Sequence, residues 1–249
     1  MRTLRCTGVT RFFGGVGALD GVELEFTPGE VTAVVGPNGA GKTTLIDVLT
    51  GHTRPDSGRW FWGDIELTNR KAYQIARAGL ARTFQQVRLV MQVSVLENIL
   101  LAFPRQKGER LLSALFGIGL EEPENRHHRR SMELLEFIGF RGDISAPAAA
   151  LSFGEQKLVA IACCLATEAD VILLDEPVSG SDVAVKANIL ALLSQLRDKG
   201  KLIIFVEHDM GVVRAAADKV IVMNRGRVVC QGSPDRVFSA REVVEAYLG

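Results

Sequence analysis

The sequence lacks several features that would each indicate a class of protein. Its 249 residues contain no long hydrophobic run, since apolar stretches such as residues 202–206 are short. A membrane-crossing helix needs roughly eighteen apolar residues. The first residues also lack the apolar segment of a signal peptide. We therefore predict neither a membrane span nor a secretory signal.

Cysteine, histidine and excess charge are also scarce. The four cysteines lack C-x-x-C spacing and the four histidines lack the spacing of metal ligands, which argues against a disulfide framework and a zinc site. Lysine plus arginine equals aspartate plus glutamate at 29 each, so no net charge favours nucleic acid or an anionic membrane. These absences predict a protein of the reducing cytoplasm, built as one α/β domain or as a main domain with a smaller insert.

A glycine-rich loop stands between a predicted strand and a predicted helix. Residues 36–43 match G-x-x-x-x-G-K-[ST] in full. Glycines let several backbone N–H groups converge on one anion, and the helix start adds unpaired amides and its dipole. Lys42 adds a cation and the Thr43 hydroxyl is a Mg²⁺ ligand by type. The pattern predicts a nucleoside triphosphate site whose residues are Gly36, Pro37, Asn38, Gly39, Ala40, Gly41, Lys42, Thr43 and Thr44.

Polar side chains follow three other predicted strands. Gln85, the pair Asp175 and Glu176, and His208 each stand directly after an apolar run. Open α/β sheets bind ligands at the carboxyl ends of their strands, so we expect these residues near the phosphates. In P-loop proteins an acid at this place usually holds Mg²⁺ and a second group orients water. A solvent-facing loop for Gln85, and a helix cap for either acid alone, remain alternatives.

The pattern between residues 88 and 163 is helical, with no convincing strand. We predict that this segment is an inserted α-helical subdomain, and that residues 1–87 and 164–249 form the α/β core with an antiparallel β layer. Residues 111–120 within the insert are strongly apolar, and a short helix is predicted over 241–248. A helix near residue 126 carries an apolar stripe formed by Met132, Leu135 and Ile138.

Two serines, each directly before a predicted helix, have the spacing of a capping box with a glutamate three residues later. Ser94 and Glu97 open one helix, and Ser152 and Glu155 open another. Helix initiation alone is sufficient to explain both pairs.

The order of these motifs resembles that of the ATP-binding subunits of ABC transporters over essentially the whole chain. The order is P-loop, glutamine after a strand, helical insert, Leu-Ser-Phe-Gly-Glu at 151–155, strand with Asp-Glu, Ser-Gly-Ser-Asp at 179–182, and strand with histidine. The resemblance implies an α/β P-loop NTPase core, with a mixed central sheet and an antiparallel β layer, and an inserted α-helical subdomain. It implies ATP and Mg²⁺ as ligands.

The resemblance also implies a role for each motif. Lys42, Glu176, His208 and Gln85 are implied catalytic residues, with Glu176 polarising water and His208 holding the γ-phosphate. Mg²⁺ is implied at Thr43, Gln85 and Asp175. Phe13 is implied to stack on adenine, although a strand-end phenylalanine in the core is an equal alternative. The residues implied to close over the ATP of a second subunit are Ser152, Phe153, Gly154, Glu155 and Asp182.

A narrower resemblance is to the ATPases of branched-chain amino-acid importers. It rests on residues 79–89 and 94–98, the helical insert near 103–130, residues 206–210 and the ending 232–249. Residues 50–58 also resemble urea-importer ATPases. It implies a membrane permease, a second identical or different ATP-binding subunit, an indirectly coupled substrate-binding protein, no nucleic acid, and a place on the cytoplasmic face of the membrane. The alternatives are a urea or amide importer, a lipopolysaccharide-export ATPase, a non-transport ABC protein, and a nucleotide sensor without turnover.

Three departures from the family pattern stand out. Phe153 and Glu155 replace a glycine and a glutamine of the signature, and we expect activity to survive. Cys163-Cys164 stands where Arg-Ala is common, which concerns packing. Ser181-Asp182 replaces Leu-Asn, which is expected to alter communication between two sites of a dimer.

Overall fold

The computed structural model describes residues 2–84, 87–104 and 121–240. The chain divides into two compact units. The first, which we call the sheet unit, comprises Met1–Gln85, Asp170–Pro177 and Leu193–Gly249. The second, which we call the helical unit, comprises Gln86–Ala169 and Val178–Leu192.

The described residues form strands and α-helices with the following bounds. The strands are β1 (Leu4–Phe13), β2 (Val16–Phe26), β3 (Val31–Val35), β4 (Ser57–Trp62), β5 (Ile65–Glu66), β6 (Leu80–Arg82), β7 (Val171–Asp175), β8 (Leu202–Val206), β9 (Lys219–Asn224) and β10 (Arg227–Gly232). The helices are α1 (Lys42–Leu49), α2 (Ala72–Arg77), α3 (Val95–Ala102), α4 (Glu121–Phe137), α5 (Phe153–Ala166), α6 (Val183–Asp198), α7 (Met210–Ala216) and α8 (Pro234–Phe238).

A six-stranded mixed sheet forms the centre of the sheet unit. Its order is β10-β9-β3-β8-β7-β6, with parallel pairs throughout except for the antiparallel pair of β10 with β9. Strands β3, β7 and β8 are buried at every position, as expected for parallel strands covered on both faces. The predicted mixed central sheet is confirmed.

A second, four-stranded antiparallel sheet has the order β2-β1-β4-β5. Trp60 and Trp62 on β4 are both buried in the core. The predicted antiparallel β layer is therefore present. Its buried side chains belong to the same apolar core as those of β3 and α1.

Helices α3, α4 and α5 pack together in the helical unit. Helix α4 buries Leu134 and Leu135, and Ile138 directly after its end is also buried, whereas Met132 is 40% exposed. The predicted membership of Met132 in the apolar stripe is therefore wrong, because the buried face of the helix passes through Ser131 and Leu134 instead. The predicted segments 111–120 and 241–248 lie outside the described residues.

Cys6 and Cys164 are buried, and Cys163 is partly buried. Burial raises the pKa of the Cys6 thiol to about 12 and that of Cys163 to about 12. Burial also raises the pKa of Cys164, and the neighbouring Cys163 adds to this shift.

Across the described residues, no helix is both long enough and apolar enough for a bilayer crossing.

The close approach of β1 and β4 generates a stability prediction. Gly58 has φ +84°, and a Cβ there would overlap the backbone of Gly8, whereas Gly15 has φ +86° with open space around it. Gly15→Ala should lower the free energy of unfolding by about 1 kcal/mol from backbone strain alone. Gly58→Ala should lower it by about 3 kcal/mol, since overlap adds to the same strain. Urea unfolding checks this, and equal losses for the two variants would refute the contact.

Candidate functional site

The glycine-rich loop joins β3 to α1 in the sheet unit. Gly41 is the N-cap of α1 with φ +102°, and a Cβ on it would overlap the carbonyl oxygen of Ala18. A Cβ on Gly36 would overlap the carbonyl oxygen of Met223. Only glycine therefore fits at these two positions, where the loop is pressed against neighbouring backbone. The loop leaves the first amides of α1 available to an anion, as predicted from the sequence pattern.

Lys42 begins α1 and turns back over this loop. Its Nζ donates hydrogen bonds to the carbonyl oxygens of Gly36 and Pro37, at 2.7 Å and 3.0 Å. Partial burial lowers the pKa of Lys42, and the negative charges of Glu176 and Asp175 oppose this shift. The lysine is thus fixed at the mouth of the loop with carboxylates near it. Thr43, next in the first turn, is exposed.

The acidic pair stands at the end of β7. Asp175 is the last residue of the strand and is buried, while Glu176 adopts φ +48°, a left-handed conformation that costs about 1–3 kcal/mol for a residue with a side chain. The Glu176 N–H donates to the carbonyl oxygen of Val206 on β8. The next helix, α6, begins only at Val183. A helix cap is therefore the wrong explanation for either acid.

His208 follows β8 and lies beside Glu176. Its Nδ1 is 3.8 Å from Glu176 Oε1, and its side chain is 65% exposed. The structure therefore brings together the glutamate and the histidine that the sequence placed after two separate strands. A carboxylate can accept a hydrogen bond from a water molecule, and a neighbouring imidazole N–H can donate one to a phosphate oxygen.

Arg82 is a residue of this site, with a nearly inaccessible side chain, that the sequence did not single out. It ends β6, and its guanidinium donates to Asp175 Oδ2 at 3.0 Å and to Asp47 Oδ1 at 2.5 Å. The exposed fractions of the Arg82 and Asp175 side chains are 6% and 4%. Burial raises the pKa of Asp175, and the hydrogen bond and charge of Arg82 act against this rise. Its partners are 35 and 93 residues away in sequence, so no local pattern predicts it.

Phe13 ends β1 and is 48% exposed, so its alternative assignment to the core is wrong. The guanidinium of Arg11 lies 4.6 Å from the centre of its ring. Asp56 accepts hydrogen bonds from the Phe12 N–H and from Arg11 Nη1, at 2.7 Å and 2.6 Å. The Phe12 hydrogen bond is the largest cause of a lowered pKa at Asp56, and Arg11 adds to it. The strand end that carries Phe13 is thus anchored.

The segment Leu-Ser-Phe-Gly-Glu opens α5 in the helical unit. Ser152 Oγ accepts from the Glu155 N–H, and Glu155 Oε2 accepts from the N–H and hydroxyl of Ser152, which confirms the predicted capping box. Ser152 is exposed, and Phe153 is 45% exposed. Glu155 is committed to the cap, a role that a glutamine performs equally well.

The segment 179–182 lies against the start of α5 within the same unit. Lys157 is buried, and its Nζ donates to the carbonyl oxygen of Ser179 at 2.5 Å. Asp182 Oδ1 accepts from the Val185 N–H at 2.8 Å, so Asp182 caps the start of α6. The Phe153 ring packs beside Gly180. Phe153 therefore links the signature segment to the segment before α6.

The donors present at the strand edge fit Mg²⁺. No group of three or more His, Cys, Asp or Glu in the described part of the chain is arranged to hold a metal. Mg²⁺ does not need such a group, because it commonly takes one or two protein oxygens together with water and phosphate. Asp175 and the Thr43 hydroxyl supply oxygens of that type. Gln85, the third predicted ligand, lies outside the described residues.

Comparisons with known proteins agree with this geometry. Residues 19–179 match the family model described as ABC transporter. The chain is 35% identical to the high-affinity branched-chain amino acid transport ATP-binding protein LivG of Escherichia coli, over 99% of this chain and 97% of that one. It is 34% identical to the high-affinity branched-chain amino acid transport ATP-binding protein BraF of Pseudomonas aeruginosa, over 99% of this chain and 97% of that one.

Solved structures give the same result for the fold. A crystal structure of the ADP conformation of an ATP-binding cassette of an ABC transporter is 32% identical in sequence to this chain. It has a TM-score of 0.85 and covers 100% of this chain and 99% of its own. The fold is therefore that of an ATP-binding cassette, and the implied P-loop NTPase core is confirmed.

Proposed function

Because the chain belongs to the ABC transporter family and hydrolyses ATP as such cassettes do, we propose that it is the ATPase subunit of an importer for branched-chain amino acids. One observation carries the catalytic part of this proposal: the glycine-rich loop, Asp175, Glu176 and His208 stand at the ends of adjacent parallel strands. The cargo rests on the two named relatives, to which the chain is similar over almost all of its length.

The phosphates of ATP would lie in the loop of residues 36–44, against the first amides of α1. Lys42 is already fixed by loop carbonyls and needs little reorganisation to meet a phosphate oxygen. Thr43 and Asp175 would hold Mg²⁺, which neutralises charge on the transferred phosphoryl group. Gln85 would join them, as the family resemblance implies. Phe13, with Arg11 behind its ring, would offer its other face to adenine.

Glu176 would accept a hydrogen bond from the attacking water and so orient it. Its strained backbone supports this role, since such conformations cluster at functional sites where the surrounding structure enforces them. His208, at 3.8 Å, would hold the γ-phosphate opposite the water. The direction of both side chains is set by the ends of two paired strands, β7 and β8.

A second ATP-binding subunit would complete the site. The exposed start of α5 offers unpaired amides and the Ser152 hydroxyl, and such a helix terminus favours an anion. In the proposed dimer, Ser152, Phe153, Gly154, Glu155 and Asp182 of one subunit close over the ATP of the other. ATP binding would drive closure and hydrolysis would reopen the dimer.

The remaining partners are a membrane permease and, indirectly, a substrate-binding protein. The ATPase would lie on the cytoplasmic face of the membrane as a peripheral subunit, with its helical unit on the permease. The two ATPase subunits of the dimer are identical or different. Urea or amides as cargo, and lipopolysaccharide export, are the alternatives that the permease would distinguish.

The first test is Glu176→Gln. It should lower steady-state ATP hydrolysis at least about 100-fold, since a positioned base contributes that much or more. ATP should still bind and a stable dimer should form, as measured by size-exclusion chromatography with light scattering. Glu168→Gln is the matched control, because Glu168 is an exposed glutamate with a similarly positive φ of +60°. Undiminished hydrolysis in Glu176→Gln would remove Glu176 from the mechanism.

The second test separates helix capping from ATP closure. Ser152 and Ser94 make the same capping box, on α5 and α3 of one unit. Ser→Ala at either site should lower the free energy of unfolding by about 1 kcal/mol. Only Ser152→Ala should also weaken the ATP-dependent dimer of the Glu176→Gln protein. If both alanine variants dimerise equally well, Ser152 serves α5 alone.

The third test concerns the permease. The full chain should co-purify with a membrane permease when the two are expressed together. Reconstituted in liposomes, its ATPase rate should rise when the binding protein carries leucine, isoleucine or valine. Stimulation by urea instead would reassign the cargo and keep the importer. A chain that associates with no permease would argue against transport.

A further inference from the structure

Arg82 joins two carboxylates that belong to different elements of the sheet unit. Its Nη1 bonds to Asp47 on α1 and its Nη2 to Asp175 at the end of β7. A guanidinium is a rigid planar fork, so two acids bound to different nitrogens are held in a fixed relation. The Asp47–Arg82–Asp175 triad therefore ties the helix of the phosphate loop to the carboxylate of β7.

The contact with Asp175 is one-sided. Arg82 engages Oδ2, while Oδ1 accepts no hydrogen bond from any residue that the structure describes. The next residue, Thr83, holds the backbone: its N–H donates to the Leu173 carbonyl oxygen and its Oγ1 accepts from the Asp175 N–H. Side chain and main chain of Asp175 are thus both fixed, and among the described residues nothing occupies the second carboxylate oxygen.

A packing role alone accounts poorly for this arginine. Arg82 Nε is buried and has no hydrogen-bond partner in the described ranges. Leaving a buried donor unpaired costs about 1–3 kcal/mol. Apolar residues of similar volume often replace buried ion pairs without loss of stability. The arrangement is better explained by what the arginine does to Asp175.

We propose that Arg82 is the positioning residue of the Mg²⁺ site, holding Asp175 so that Oδ1 is directed to the ion and fixing that oxygen relative to α1. The triad has two negative charges and one positive charge, so a net charge of −1 remains to attract the cation. This inference rests on the proposed role of Asp175 and adds a residue that touches neither nucleotide nor metal.

The choice of cation distinguishes positioning from charge. Mg²⁺ demands near-ideal octahedral geometry, whereas Ca²⁺ accepts flexible coordination. Loosening a well-placed carboxylate should therefore harm Mg²⁺ more than Ca²⁺. A change in local charge alone should move both affinities in the same direction and leave their ratio unchanged.

The experiment measures binding of a fluorescent ATP analogue while Mg²⁺ or Ca²⁺ is titrated. Arg82→Lys keeps the charge but replaces the fork with a single ammonium, and Arg82→Met removes both. In each folded variant the preference for Mg²⁺ over Ca²⁺ should fall by about tenfold, as for other residues that orient metal ligands. Arg77→Met, an exposed arginine of the same unit, is the control and should keep the wild-type preference.

Each outcome has a defined meaning. If Arg82→Met does not fold, Arg82→Lys decides the question. A wild-type preference retained by Arg82→Lys, or a parallel loss for both cations, would overturn the positioning role and leave the proposed function intact. If the wild-type protein binds the ATP analogue equally well with and without divalent cations, the proposed role of Asp175 itself is contradicted.

Discussion

The parallel register of three buried strands is the constraint on which the site depends. Val34 on β3 and Asp175 on β7 both pair with Val206 on β8, so the three strands end at the same level. The phosphate loop, the acidic pair and the histidine stand at these three strand ends and therefore lie at one edge of the sheet. Because side chains alternate along a strand, a slip of one residue in β7 would turn Asp175 to the other face of the sheet. The hydrophobic burial of these strands is what prevents such a slip.

Charges of both signs stand close together at this edge. Asp175, Glu207 and Arg82 are all nearly inaccessible to solvent, and Lys42 is partly buried beside them. Ions in such surroundings persist only when opposite charges and hydrogen bonds compensate their lost hydration. The site is therefore electrostatically organised before any nucleotide arrives. Organisation of this kind lowers the reorganisation that catalysis requires.

Motifs with local geometry were predictable from the sequence, and contacts between distant residues were not. The glycine loop, both capping boxes and the strand ends at Asp175 and His208 follow from spacing alone. Arg82 was missed because its partners lie on two other elements. Met132 belongs to the predicted apolar stripe but is 40% exposed, because helical periodicity defines a stripe without fixing which neighbouring helices cover it.

The raised thiol pKa of Cys6 and of Cys163 has a consequence for the chemistry of the folded protein. Alkylation and peroxide oxidation proceed through the thiolate, and a thiol with a pKa of about 12 is almost entirely protonated at neutral pH. Cys6 lies in the antiparallel sheet and Cys163 in α5, one in each unit. Oxidative conditions should therefore spare these sulfurs while the chain is native. Their reaction with a thiol reagent would report, unit by unit, that the fold has opened.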